Sequence, residues 1–175
     1  MSTTSASAVL RDAAELYEPV AEEKGVALRL RLLPGGGPAP RCEVPGDRDL
    51  LLEAVGNLVD NAIKFTPAGT AVTLSLRCEP GAARLSVADQ GPGIPLAERE
   101  RVLQRFYRTE KSRTVEGSGL GLSLVAAVVA LHGFRLRIDA AEPGGGVPGC
   151  LVEVACLYAP ASPSGRCPSR LAEPC

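Results

Sequence analysis

Apolar and polar residues alternate without a break across residues 26–32, with Val26, Leu28, Leu30 and Leu32 set against Ala27, Arg29 and Arg31. Period-two patterning predicts a strand that buries one face and leaves the other to water. The alternation recurs over residues 72–76 and 84–89, on either side of Glu79-Pro80-Gly81, a turn sequence that suits a hairpin. Residues 134–138 and 151–156 predict two more strands, joined through a glycine-rich turn at 144–149. The apolar face of such a sheet needs cover. Four helical stretches supply it: 10–23, with Asp12, Glu15, Glu18 and Glu22 outward; 47–65, capped by Asp47 and ended by Thr66-Pro67; 95–104, opened by Pro95; and 120–131, ended by His132-Gly133. This order predicts a two-layer α/β (α+β) sandwich, a mixed sheet with helices on one face.

A chain of 175 residues can bury the core of one domain. Aromatic residues make up only 3%, so that core must be Leu, Val, Ala and Ile. The formal net charge of -1 points away from a nucleic-acid surface. Six cysteines (Cys42, Cys78, Cys150, Cys156, Cys167 and Cys175) include no C-x-x-C pair, and the chain's one histidine adds no H-x-x-H, which argues against zinc. The thiols read as strand packing in a reducing, cytoplasmic protein. Residues 1–7 lack a secretory pattern, and the longest apolar run, 119–131, falls short of the ~20 residues that a bilayer requires. No membrane contact is expected. Residues 34–38 read as a flexible turn, and residues 159–175, rich in Pro, Ser and Arg, as a disordered tail.

Chemistry concentrates in four places. On the 47–65 helix, Leu51, Ala54, Val55, Leu58, Val59, Ala62 and Ile63 make one apolar face, and Glu53, Asn57, Asn61 and Lys64 line the other side. That stripe is either a solvated face or a set of amides and an ammonium able to hold hydrated magnesium and phosphate oxygens. Asp89 shares strand parity with the inward Leu85 and Val87, so its carboxylate points toward a core, where it needs a partner. It either caps the strand end or, beside Gly91 and Gly93, accepts from the exocyclic amine of adenine. Gly117, Ser118, Gly119, Leu120 and Gly121 lead into an apolar helix, as a flexible entry or as amides that receive phosphate. Arg105-Phe-Tyr-Arg108 closes a helix before a charged loop. There Phe106 can dock the loop's base, and Arg108, Lys111 and Arg113 lie within reach of phosphates.

In order and spacing, Asn57-Leu-Val-Asp-Asn61-Ala-Ile-Lys64-Phe-Thr66, Asp89-Gln-Gly-Pro-Gly93, Arg105-Phe-Tyr-Arg108 and Gly117-Ser-Gly-Leu-Gly121 resemble the N, G1, F and G2 boxes of sensor histidine kinases. The resemblance covers residues 10–156. It implies the Bergerat fold of that superfamily, with a mobile lid over residues 109–116, and a nucleotide site shared by Asn57, Asn61, Lys64, Asp89, Gly91, Gly93, Tyr107, Arg108, Arg113 and residues 117–121. By the same resemblance, ATP is the substrate and Asn61, helped by Asn57, holds Mg2+. Lys64, Arg108 and the glycine amides bind phosphates, and Asn57, Lys64 and Arg108 serve transfer of the γ-phosphoryl group to a histidine on a separate dimerisation domain. A response regulator then lies downstream. No histidine precedes Asn57, and His132 sits in a structural His-Gly position, so the acceptor is absent from this chain. Residues 1–24 read as the join to that missing domain, 25–158 as the catalytic domain, and the isolated chain as a monomer. Two departures stand out: Glu116 in place of a frequent glycine, and Cys150 where many relatives have Thr. A non-enzymatic nucleotide-binding module is the alternative. An ATPase of the gyrase or chaperone branch is a further one, although it requires a glutamate where this chain has Asn57.

Overall fold

The computed structural model describes residues 2–33, 42–109, 113, 117, 119–142 and 147–158. The strands are β1 (Thr3–Ser5), β2 (Ala27–Leu33), β3 (Glu43–Pro45), β4 (Ala71–Glu79), β5 (Ala82–Ala88), β6 (Arg135–Asp139) and β7 (Leu151–Leu157). The helices are α1 (Ala6–Lys24), α2 (Arg48–Phe65) and α3 (Gly121–Leu131). Local chemistry sets their ends. Ser5 caps α1 by accepting from the Ala8 amide, and Gly25 ends it in the left-handed region. Asp47 caps α2 by accepting from the amides of Asp49 and Leu50. α3 ends at His132-Gly133, as its sequence predicts.

Five strands form the mixed sheet in the order β2-β4-β5-β7-β6. β2 runs parallel to β4, and every other pairing is antiparallel. The registers pair Leu76 with Leu85, Leu74 with Val87, Leu85 with Val154 and Ile138 with Val152. Their side chains therefore share one face, which joins the buried faces of α1, α2 and α3 in a single core. The opposite face carries Thr73, Ser75, Arg84, Ser86 and Glu153, with Arg84 paired to Glu79 and Glu153. Residues 6–24, set apart by sequence as a join, pack here as α1. Ala6, Val9, Leu10, Ala13 and Ala21 enter the common core, and Arg48 of α2 reaches Asp12 at 2.5 Å.

Four expectations change. Residues 95–104 form two single 3-10 turns, at Leu96–Glu98 and Arg101–Leu103, instead of an α-helix. β2 is an edge strand whose cover stops early: Val26 is buried, Leu28 half-buried, and Leu30 and Leu32 exposed. β1 and β3 make a separate two-stranded ribbon that alternation does not reveal. Finally, Cys42 and Cys78 are joined in a disulfide, whereas Cys150 and Cys156 remain free and buried as packing thiols. The turns at 34–38 and 144–146, most of the proposed lid, Lys111, Glu116, Ser118, and the tail with Cys167 and Cys175 lie outside the described residues.

Candidate functional site

A cavity of about 270 Å3 opens between α2, the ends of β5 and β7, and the segment that leads into α3. α2 contributes Asn57, Asn61 and Lys64, and the sheet contributes Val87, Asp89, Cys150 and Val152. Gly93, Tyr107, Arg108, Gly117, Gly119 and Gly121 close the other side. Ten residues singled out by sequence thus face one space.

Asp89 forms one end. It is 8% exposed, and its Oδ1 accepts from the amides of Gly91 at 2.9 Å and Cys150 at 3.0 Å. Oδ2 is the remaining acceptor of a carboxylate that lines the cavity. Burial pushes its pKa up from the ordinary value, against the opposing pull of the two amides. Gly91 is absent from the lining and works behind it. A Cβ there would come within 2.6 Å of the Phe65 carbonyl oxygen, so only glycine lets the Asp89 turn close onto the end of α2. The neighbouring Cys150 thiol is pushed up to about 12 by burial and then by the Asp89 charge, which leaves it an inert wall.

The other end combines amides with a helix terminus. Asn57 donates its Nδ2 to the Glu53 carbonyl at 2.9 Å, so its Oδ1 is left to accept. A Cβ at Gly121 would lie 3.2 Å from that oxygen and 3.6 Å from Asn61 Nδ2, which brings the N-terminus of α3 against both amides. Among the described residues no side chain caps that terminus, and its first-turn amides and positive dipole end suit an anion. Two amide oxygens of this kind fit Mg2+, a hard cation that keeps several waters and takes its other ligands from phosphates.

Lys64 is paired with Asp60 Oδ2 at 2.7 Å, one helical turn back, and both line the cavity. Sequence reading passed over Asp60, although its i,i+4 spacing to Lys64 marks the pair. The Tyr107 hydroxyl donates to Glu98 Oε1 at 2.8 Å. Phe106 departs from expectation: the residue is 69% exposed, while its amide donates to the Gly119 carbonyl, so the backbone and not the ring docks this segment. Arg113 is exposed and, like Leu120, is not among the lining residues. His132 is a structural residue. Its Nε2 accepts from the Asp47 amide at 3.0 Å, so its Nδ1 carries the proton that it gives to the Val128 carbonyl at 2.7 Å.

Residues 46–155 match the family HATPase_c, described as histidine kinase-, DNA gyrase B-, and HSP90-like ATPase. The signal transduction histidine-protein kinase/phosphatase MprB of Mycobacterium sp. (strain KMS) is 47% identical over 125 residues, which are 71% of this chain. The chain spans 24% of the length of that relative. A solved structure of a mycobacterial sensor histidine kinase MprB superposes with a TM-score of 0.76 at 34% identity, covering 91% of this chain and 98% of that one. Full-length ShkA in complex with AMPPNP superposes at 0.73 with 31% identity, covering 92% of this chain and 32% of that one.

Proposed function

Since the chain belongs to the HATPase_c family of histidine kinase-, DNA gyrase B- and HSP90-like ATPases, we propose that it is the ATP-binding half of a sensor histidine kinase, which sends the γ-phosphoryl group to a histidine on a separate dimerisation domain. One observation carries this reading: a buried carboxylate lies at one end of the cavity, and two side-chain amides and a helix terminus that no described side chain caps lie at the other. Those are the acceptors and donors that a base and a polyphosphate need.

In this reading Asp89 takes the adenine amine, with the backbone at Gly91 and Gly93 beside the ring. Asn61, with Asn57, holds Mg2+, which supplies charge neutralisation across the phosphates. Lys64, released from Asp60, joins Arg108, Arg113 and the amides of residues 117–121 on the phosphate oxygens, and Tyr107 closes the side wall. An acceptor imidazole nitrogen attacks the γ-phosphorus, the P–N bond forms, and the P–O bond to ADP breaks. The side chains contribute position and charge and no covalent step. Asn57 can orient groups but cannot take a proton from water, which favours transfer to a protein over hydrolysis.

His132, the chain's one histidine, has both ring nitrogens engaged inside the fold, so it is not available as the acceptor. The chain alone is therefore expected to bind nucleotide without labelling itself, as a monomer. Residues 1–24 then connect the catalytic domain, 25–158, to the dimerisation domain, and a response regulator is the partner that acts next. None of the described helices is long and apolar enough to cross a membrane, and we place the domain on the cytoplasmic side of its parent protein.

Calorimetric titration with Mg-ATP and Mg-ADP, followed by transfer of labelled phosphate to an added dimerisation domain, tests the proposal. Saturable one-to-one binding and labelling of the added domain are expected. Binding without labelling would leave a nucleotide module only, and sustained phosphate release by the chain alone would favour the ATPase branch.

A further inference from the structure

Lys24, the last residue of α1, points its ammonium into the end of α2. Its Nζ donates to the carbonyls of Ile63 and Lys64, each at 2.5 Å. The final carbonyls of a helix have no partner within it, and the negative end of its dipole favours a cation. The next residues bind the same two corners together. The Gly69 amide donates to the Gly25 carbonyl at 2.8 Å, and the Ala27 amide to the Thr70 carbonyl at 3.0 Å.

The corner between α2 and β4 in turn carries the Asp89 turn. The Gln90 amide donates to Thr66 Oγ1 at 3.3 Å, and Gln90 Oε1 accepts from the Ala71 amide at 2.8 Å. The Phe65 carbonyl is the group against which Gly91 closes, and the Gly91 amide is one of the two that orient Asp89. Three layers stack in register: the end of α1, the end of α2, and the turn that holds the buried carboxylate. Burial lowers the pKa of Lys24, as expected of an ammonium that has exchanged water for carbonyl oxygens.

We propose that Lys24 is a positioning residue of the nucleotide site, tying the end of α1 to the Asp89 turn through the corner between α2 and β4. The proposal rests on the reading of the cavity as a nucleotide site. It gives α1 a role beyond packing: movement of α1 along α2 pulls on the two carbonyls that precede Phe65, and so on the seat of Asp89.

The test uses Lys24→Met, which keeps the stem and removes the charge, and Lys24→Arg, which restores donors. Amide hydrogen exchange in the nucleotide-free protein is read first. Lys24→Met is expected to speed exchange at Gly91 and Cys150 at least tenfold, to leave Leu85 and Val154 unchanged, and to be reversed by Lys24→Arg. Unchanged exchange at Gly91, or a uniform rise across the sheet, overturns the proposal. Calorimetry with Mg-ATP is read second. Lys24→Met is expected to weaken binding about fivefold, with much less effect in an Asp89→Asn background, because residues that act through one another are not additive. Full additivity overturns the proposal. Should Lys24→Met fail to fold, Lys24→Gln is read by the same criteria. A wild-type chain that binds no Mg-ATP ends the nucleotide reading, while the exchange result still decides the link between Lys24 and Asp89.

Discussion

Asp89 is a residue at which function and stability oppose each other. The folded protein holds its carboxyl above the unfolded value of 3.8, so between those two values the folded state keeps a proton that the unfolded chain has lost. Stability therefore declines as pH rises through that window, and the ionised carboxylate is a cost at neutral pH. Asp89→Asn removes the charge while its amide oxygen can still accept from Gly91 and Cys150. The variant is expected to melt no lower than the wild type at pH 7 and yet to bind Mg-ATP at least tenfold more weakly, since a charge-assisted hydrogen bond contributes about 1.5–3 kcal/mol. Equal affinity in calorimetry would remove Asp89 as the adenine anchor. The same raised pKa predicts that wild-type affinity falls on acidification at a higher pH than an ordinary aspartate would give, and that the variant lacks this fall. Asp89 was legible because strand parity turned it inward beside Leu85 and Val87. Phe106 was not, because the orientation of its ring follows from a backbone bond to Gly119, thirteen residues further along in sequence.

At the scale of elements, apolar faces were legible and short or weakly anchored pieces were not. α2 has its cap, its apolar face and its end where the residues predict them, because all three signals agree over 18 residues. Residues 95–104 have a favourable Pro95, but only Val102 is buried and Leu96 is 79% exposed. A helix with one anchor cannot offset the cost of ordering, and two single turns result. β1 and β3 are three residues each and find each other about forty positions apart, beyond any local pattern. The start of α2 yields a graded prediction. Asp47→Ala deletes the side-chain cap but keeps the backbone amide that His132 receives, and should cost about 1 kcal/mol in chemical denaturation. His132→Ala removes the acceptor of that amide, the donor to Val128 and a buried ring stacked on Phe134, and should cost about 3 kcal/mol. Equal losses would mean that the His132 link contributes nothing beyond the cap.

The disulfide acts on the whole molecule. Cys42 precedes β3, Cys78 lies near the end of β4, and the 36-residue separation between them encloses the whole of α2. The pairing was not legible because six cysteines without a spacing motif allow many partners. Only the fold, by laying residue 42 against the helix-covered face of β4, selects this one. In the chain-entropy account, closing a loop of this length removes freedom from the unfolded chain worth about 4 kcal/mol. For a domain of this size that corresponds to a melting shift of about 10 °C. Because the effect falls on the unfolded chain, the folded site should barely register it. α2 is held independently by Lys24, by the Arg48–Asp12 pair and by its buried face against α1, α3 and the sheet. Reduction, or Cys42→Ser with Cys78→Ser, is therefore expected to lower the melting temperature by about 10 °C and to change Mg-ATP affinity less than twofold well below the melt. Thermal melts with and without a thiol reductant, paired with calorimetry on the same samples, separate the two effects. A wild-type melt that ignores the reductant would mean that the bond contributes no stability. An affinity that collapses on reduction would mean that it holds α2 in place in the folded state, and that the nucleotide site depends on the oxidation state of two residues outside its walls.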